Sequence, residues 1–146
     1  MDIKIKDHKI YLQILDFITN GVLISNTDGK VLYVNYAFCK ACQYTPEEVV
    51  GQNPRILKSG IHNQDFYKDM WDTIKSGKTW KSAIVNKAKD GSLYTDRIMI
   101  SPLKDDNGNT QYFVCTRYNI DATNAVLDQL EEVVSRLQNN LAQNEL

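Results

Sequence analysis

The sequence predicts an α+β domain: a mostly antiparallel sheet of about five strands, short helices on one face, and an amphipathic helix at either end. Three observations predict it. The apolar spacing is helical near the start, strand-like through the middle and helical again at the end. Asp28-Gly29, Asp90-Gly91 and Asn107-Gly108 each stand between β-rich runs, and such pairs close hairpins because their residues accept positive φ. Helix-start chemistry lies between the second and third strand-like runs, sharpest at Thr45-Pro46-Glu47-Glu48.

The elements follow in order. Ile10, Ile14, Phe17 and Ile18 share one face of a short amphipathic helix. Residues 21–25 and 30–34 form two strands joined by Asn26-Thr27-Asp28-Gly29. Asn35 caps a short helix over 36–42. Thr45 caps the next, Glu48 completes a capping box and Gly51 ends it. Residues 52–62, with Pro54 and Gly60, read as loop. Phe66, Met70 and Ile74 fall four apart in a helix over 65–76 that Gly77 closes. Three strands then run over 79–87, 93–103 and 110–118.

After residue 123 there is no Gly or Pro. Leu127, Leu130, Val134, Leu137 and Leu141 are spaced three, four, three and four, the a/d seam of a coiled coil. An isolated helix of this length is marginal in water, so a second copy is expected beside it, with folding back onto its own domain as the other reading. The division is residues 1–20 as an N-terminal flanking helix, 21–120 as the domain, and 121–146 as the C-terminal coiled-coil helix.

Composition excludes several functions. The chain has 146 residues, one domain plus a short appendage, and 17 Lys and Arg against 18 Asp and Glu give a net charge of -1. That balance offers no broad attraction to nucleic acid. No apolar run approaches the roughly 20 residues of a membrane span. The opening residues lack a signal-peptide core, so a cytoplasmic location is expected. Cys39 and Cys42 form a C-x-x-C, but only His8 and His62 could complete a zinc site, and small buried core residues are the better reading. Paired catalytic carboxylates, a Ser-His-Asp set, a P-loop and an H-E-x-x-H motif are all missing, so no enzymatic activity is expected.

In their order and spacing, Asp28-Gly29, Tyr33-Val34-Asn35, Tyr44-Thr45-Pro46-Glu47-Glu48-Val49-Val50-Gly51, residues 51–60, Phe66-Tyr67-Lys68-Asp69-Met70-Trp71, Lys89-Asp90-Gly91-Ser92, Ser101-Pro102 and Asp106-Asn107-Gly108 resemble a PAS domain over residues 11–121. The resemblance implies the PAS fold and a sensory or dimerisation role, with an output such as a histidine kinase or diguanylate cyclase where the chain is part of a longer protein. Asn119-Ile120-Asp121 stands where the family often has Asp-Ile-Thr.

The resemblance also frames the ligand. Light-oxygen-voltage (LOV) domains, a PAS branch, carry a photoreactive Cys after the Asn that here is Asn53. Pro54 has no thiol, which rules out a flavin–cysteinyl adduct at that position. Haem is the weaker candidate, because His62 reads as exposed in a polar loop. Flavin (FAD or FMN) is stronger, since the redox-sensing flavin branch resembles this chain around Phe66, Trp71, Trp80 and Asn86, and at Asn35. Trp80 can pack beside a flat ring. Asn86 offers a donor and an acceptor to its polar edge. Asn35 suits the ribityl or adenine portion, and Arg55 or Lys58 a pyrophosphate. Against this, Phe66 and Trp71 also have core spacing. Asp96 and Arg117 replace the Asn and Gln of light-sensing relatives, and the two can pair. A carboxylate ligand would instead use Arg97, Arg117 or Lys87 as a clamp. The expected function is a sensory module that relays pocket occupancy through a dimer built on both terminal helices. The alternative is a ligand-free dimerisation or docking module.

Overall fold

Each hairpin turn is secured by its own side chains. Asn26 Oδ1 accepts the Asp28 and Lys30 amides, Asp90 Oδ1 accepts the Ser92 amide, and Asp105 Oδ1 accepts those of Asn107 and Asn109. In the computed structural model, which describes residues 6–144 except the side chains of 122–129, 132 and 144, these turns organise a five-stranded antiparallel sheet. Residues 1–5 and 145–146 of the predicted terminal segments, and the Leu127 side chain of the predicted seam, lie outside that description.

The strands are β1 (Gly21–Asn26), β2 (Val31–Val34), β3 (Trp80–Lys87), β4 (Leu93–Lys104) and β5 (Thr110–Asn119), in spatial order β2-β1-β5-β4-β3. The helices are α1 (His8–Phe17), α2 (Tyr36–Cys42), α3 (Pro46–Val49), α4 (Gln64–Lys75) and α5 (Ile120–Asn144). The first hairpin supplies one edge of the sheet. The chain then crosses one face through α2, α3 and α4 to the far edge, and the β3–β4–β5 meander returns to β1. This is the α+β fold that the sequence predicts.

Side chains alternate across the strands, so one sheet face turns toward the helices. Leu23, Phe113, Cys115, Ile98 and Ile84 pack there against Phe38, Val49, Leu57 and Ile74. The predicted capping box is present, with the Thr45 amide donating to Glu48 Oε2 and the Glu48 amide to Thr45 Oγ1. Asn53 and Asn63 cap the next two helical turns. The segment read as loop contains a 3₁₀ turn, Pro54–Leu57, which periodicity misses because it is a single turn.

The amphipathic face of α1 is not buried. Ile10, Ile14, Phe17 and Ile18 are all at least 40 % exposed. The helix is instead held by polar contacts at its C-terminal end, described below.

Candidate functional site

Between the inner sheet face and the helices lies a cavity of about 440 Å³. Leu23, Ile84, Ile98, Ile100 and Phe113 give it apolar walls, while Trp71, Met70 and Ile74 of α4 close one side. Asn53, Arg55 and Lys58 line it from the segment before α4, and Lys75 and Asp28 also reach it. Lys58 forms an isolated antiparallel bridge with Asn86, and Ser59 Oγ donates to the Val85 carbonyl at 2.7 Å, so this segment is docked on the edge strand β3.

The polar end is built by strand register. Arg117 stands opposite Ile98, which places Asp96 two residues along β4 as its diagonal neighbour. Asn86 stands opposite Tyr94 on the other side of β4. Arg117 Nη1 lies 3.6 Å from Asp96 Oδ2, an ion pair with both side chains almost wholly buried. The guanidinium also sits over the Phe38 ring at 4.5 Å and makes a weak 3.7 Å contact from Nη2 to Cys115 Sγ. Gly21 pairs with Arg117, and a Cβ there would lie 2.8 Å from Arg117 Cγ, so this glycine makes room for the arginine stem. Burial pushes the Asp96 carboxyl up, opposed by the Arg117 charge and reinforced by Asp121. The Tyr94 phenol and the Cys42 thiol are likewise raised, chiefly by burial.

Four of the eight predicted residues, Arg55, Trp71, Asn86 and Arg117, line the cavity. Asp96 lies behind Arg117 as its counter-ion. The other three belong elsewhere. Asn35 is fully buried with its side chain committed to backbone: Oδ1 accepts the Val22 and Phe38 amides, and Nδ2 donates to the carbonyls of Leu15, Ile18 and Asn20. It has no capacity left for a ribityl or adenine group. Trp80 gives its indole N–H to Asp69 Oδ2 at 2.8 Å and stands edge-on to Phe66, so it joins β3 to α4. Phe66 stacks on His62 with ring centroids 4.0 Å apart.

Other expectations also shift. His62 is half-buried rather than exposed, because its Nε2 accepts the Val85 amide at 2.9 Å. Of the proposed carboxylate clamp, only Arg117 faces inward, since Arg97 and Lys87 occupy exposed strand positions. Sequence reasoning missed Lys75, Met70 and Ile74 as cavity lining; the four-residue periodicity of α4 marks Met70 and Ile74 as core, and Lys75 carries no such signal.

Cys42 is buried, Cys39 half-buried, and both are free thiols. Burial pushes Cys39 up to about 11, away from thiolate reactivity.

Known proteins agree with this architecture. The chain is 29% identical over 120 residues to a nitrogen fixation regulatory protein of Klebsiella pneumoniae, covering 81% of this chain and 24% of the relative. It is 28% identical over 121 residues to a blue-light-activated histidine kinase of Brucella canis, covering 81% and 25%. It thus spans about a quarter of the length of these curated relatives. A solved RNA-binding light-oxygen-voltage receptor superposes with a TM-score of 0.75 at 18% identity, covering 92% of this chain and 40% of that one, which shows the shared fold. No helix among the described residues is long and apolar enough to cross a membrane. With residues 19–121 matching the PAS domain family, the chain is a member of that family, a sensory module related to regulatory and histidine-kinase proteins.

Proposed function

We propose that this PAS module takes a flavin, FMN or FAD, in its cavity and relays the state of that ligand to an output domain through α5 paired with a second copy. One observation carries the reading. Asn86 Nδ2, Arg117 Nε and Arg117 Nη1 are buried donors without hydrogen-bond partners, beside a cavity of about 440 Å³ that Asn86 and Arg117 line. Buried polar groups are almost always satisfied, so a row of unmet donors marks where a ligand's acceptors belong.

The residues fit the group. Unmet donors at Asn86 and Arg117 suit the carbonyl and ring-nitrogen acceptors of an isoalloxazine edge. Ile84, Ile98, Ile100 and Trp71 suit its apolar end, and Arg55, Lys58 and Lys75 are the cations for a phosphate. When bound, flavin supplies one- and two-electron redox chemistry and light absorption. The chain's own residues orient it, screen it from water and hold the charge beside it. The chain's residues bind and orient rather than catalyse, and the output, a histidine kinase or diguanylate cyclase, is expected where the chain is part of a longer protein.

The path to the output is short. Asp121, in the first turn of α5, accepts the Thr95 amide at 2.8 Å, next to Asp96 on β4. A change at the polar end of the cavity therefore reaches the start of α5 across one residue.

The absorption spectrum of the purified protein, with mass spectrometry of its extract, tests the ligand. A yellow protein releasing FMN or FAD is expected. A colourless protein that also fails to bind added FMN and FAD overturns the flavin reading, and a Soret band replaces it with haem.

A further inference from the structure

We propose that Arg117 and Asn86 form a subsite for a carboxylate or other delocalised oxygen anion on the ligand, and that Asp96 yields Arg117 to that anion by taking up a proton from solvent. This rests on reading the cavity as a ligand site, and does not require the ligand to be flavin.

The ion pair is incomplete as it stands. At 3.6 Å, Arg117 Nη1 and Asp96 Oδ2 attract but do not hydrogen-bond. Asp96 Oδ2, Arg117 Nε and Arg117 Nη1 all lack partners. A guanidinium presents its N–H groups as a planar fork that two oxygens of one anion satisfy together, which a single distant Asp oxygen does not. The lining is cationic as well. Arg55, Lys58, Lys75 and Arg117 face it against one acid, Asp28, in a chain whose net charge is -1. The cavity lining thus carries an excess of positive charge in a near-neutral protein.

Proton uptake follows from what surrounds Asp96. Arg117 is the cation beside it, and Asn86 is its amide neighbour. Asp121 faces it from α5 with like charge. Tyr94 and Cys42 also face the pair, and Cys115 touches Arg117. Burial keeps the Tyr94 phenol and the Cys42 thiol protonated through neutrality, so neither supplies a countercharge. Once an anion engages Arg117, Asp96 is a buried carboxylate without effective compensation and beside a second acid. Burying an unpaired charge costs far more than neutralising it, so the carboxyl binds a proton. Its neutralisation also removes the repulsion on Asp121, the residue that ties α5 to Thr95.

Benzoate is a suitable probe, with a flat ring for the apolar walls and one carboxylate for the fork; benzamide is its neutral counterpart. In titration calorimetry of the whole chain, freed of any bound compound, benzoate is expected to bind at least about tenfold more tightly than benzamide. Its affinity should rise as pH falls toward the ordinary carboxylate range, by at most about tenfold per pH unit, with net proton uptake measured across buffers of different ionisation heat. D96N should keep the preference for benzoate and lose the pH dependence, and R117Q should lose the preference. Absence of benzoate binding, equal affinity for benzamide, or a pH-independent wild type overturns the proposal. Failure to bind either FMN or FAD alongside proton-linked benzoate binding sinks the flavin reading and leaves the anion subsite standing.

Discussion

Asn35 shows why residue type and position can be right while the assigned role is wrong. The sequence marks it as a helix cap and the family likeness marks it as a ligand contact; the structure has it capping α2 and also tying α1 to β1. The two halves of the amide do separate jobs, so they separate by substitution. N35D keeps the acceptors for the Val22 and Phe38 amides but sets a carboxylate against the Leu15, Ile18 and Asn20 carbonyls. It should release α1 while preserving the cap, at a cost of about 2–4 kcal/mol. Amide exchange checks this, with protection lost in α1 and retained in α2. Asp96 gives a second residue-level prediction. Burial raises its folded-state pKa above the unfolded value, so above the ordinary carboxylate range the folded protein binds the proton more tightly. Its contribution to stability therefore grows as pH falls through that window and is lost as pH rises through the folded pKa. Urea unfolding across pH should show wild type gaining stability relative to D96N on acidification. The opposite slope would mean that Arg117 outweighs burial.

Among the elements, the strands and turns were largely readable because their chemistry is local. Asp-Gly and Asn-Gly turns and the Thr45 capping box need only their own neighbours to form. The cavity was half readable. Asn86 and Arg117 sit at inward strand positions, while the partners that claim Asn35, Trp80 and Phe66 come from distant segments that no local pattern reveals. Tertiary contact between turn and helix gives a further prediction. Gly29 has φ +84°, and a Cβ there would stand 2.8 Å from Trp71 Cη2, so the β1–β2 turn and α4 interlock at this point. G29A should cost about 2–3 kcal/mol, part backbone strain and part overpacking. W71F should recover only the overpacking share in a double-mutant cycle, measured by denaturant unfolding. Full additivity of the two changes would show that Trp71 is not the obstacle.

In the molecule as a whole, both terminal helices leave rows of large apolar side chains in water. Leu130, Val134, Leu137 and Leu141 of α5 are 50 % exposed or more, at the spacing of a heptad seam, along a helix of 25 residues. Ile10, Leu12 and Ile14 of α1 are similarly open. A helix about 37 Å long that leaves this seam in water gains roughly 1.5–3 kcal/mol for each large apolar side chain it buries against a partner. A parallel pair of α5 helices buries the same four positions twice, from one seam, and brings two cavities to a common output. Replacing Val134 and Leu137 together by Asp should therefore weaken dimerisation by more than about a hundredfold. The monomer should stay folded, because neither side chain contributes to the domain core. Light scattering coupled to size exclusion reads the first result, and an unchanged thermal transition of the domain reads the second. A variant that stays dimeric would assign self-association to α1 or the outer sheet face. A monomeric wild type would mean that α5 waits for a different partner, and the relay proposed here would then act within one chain.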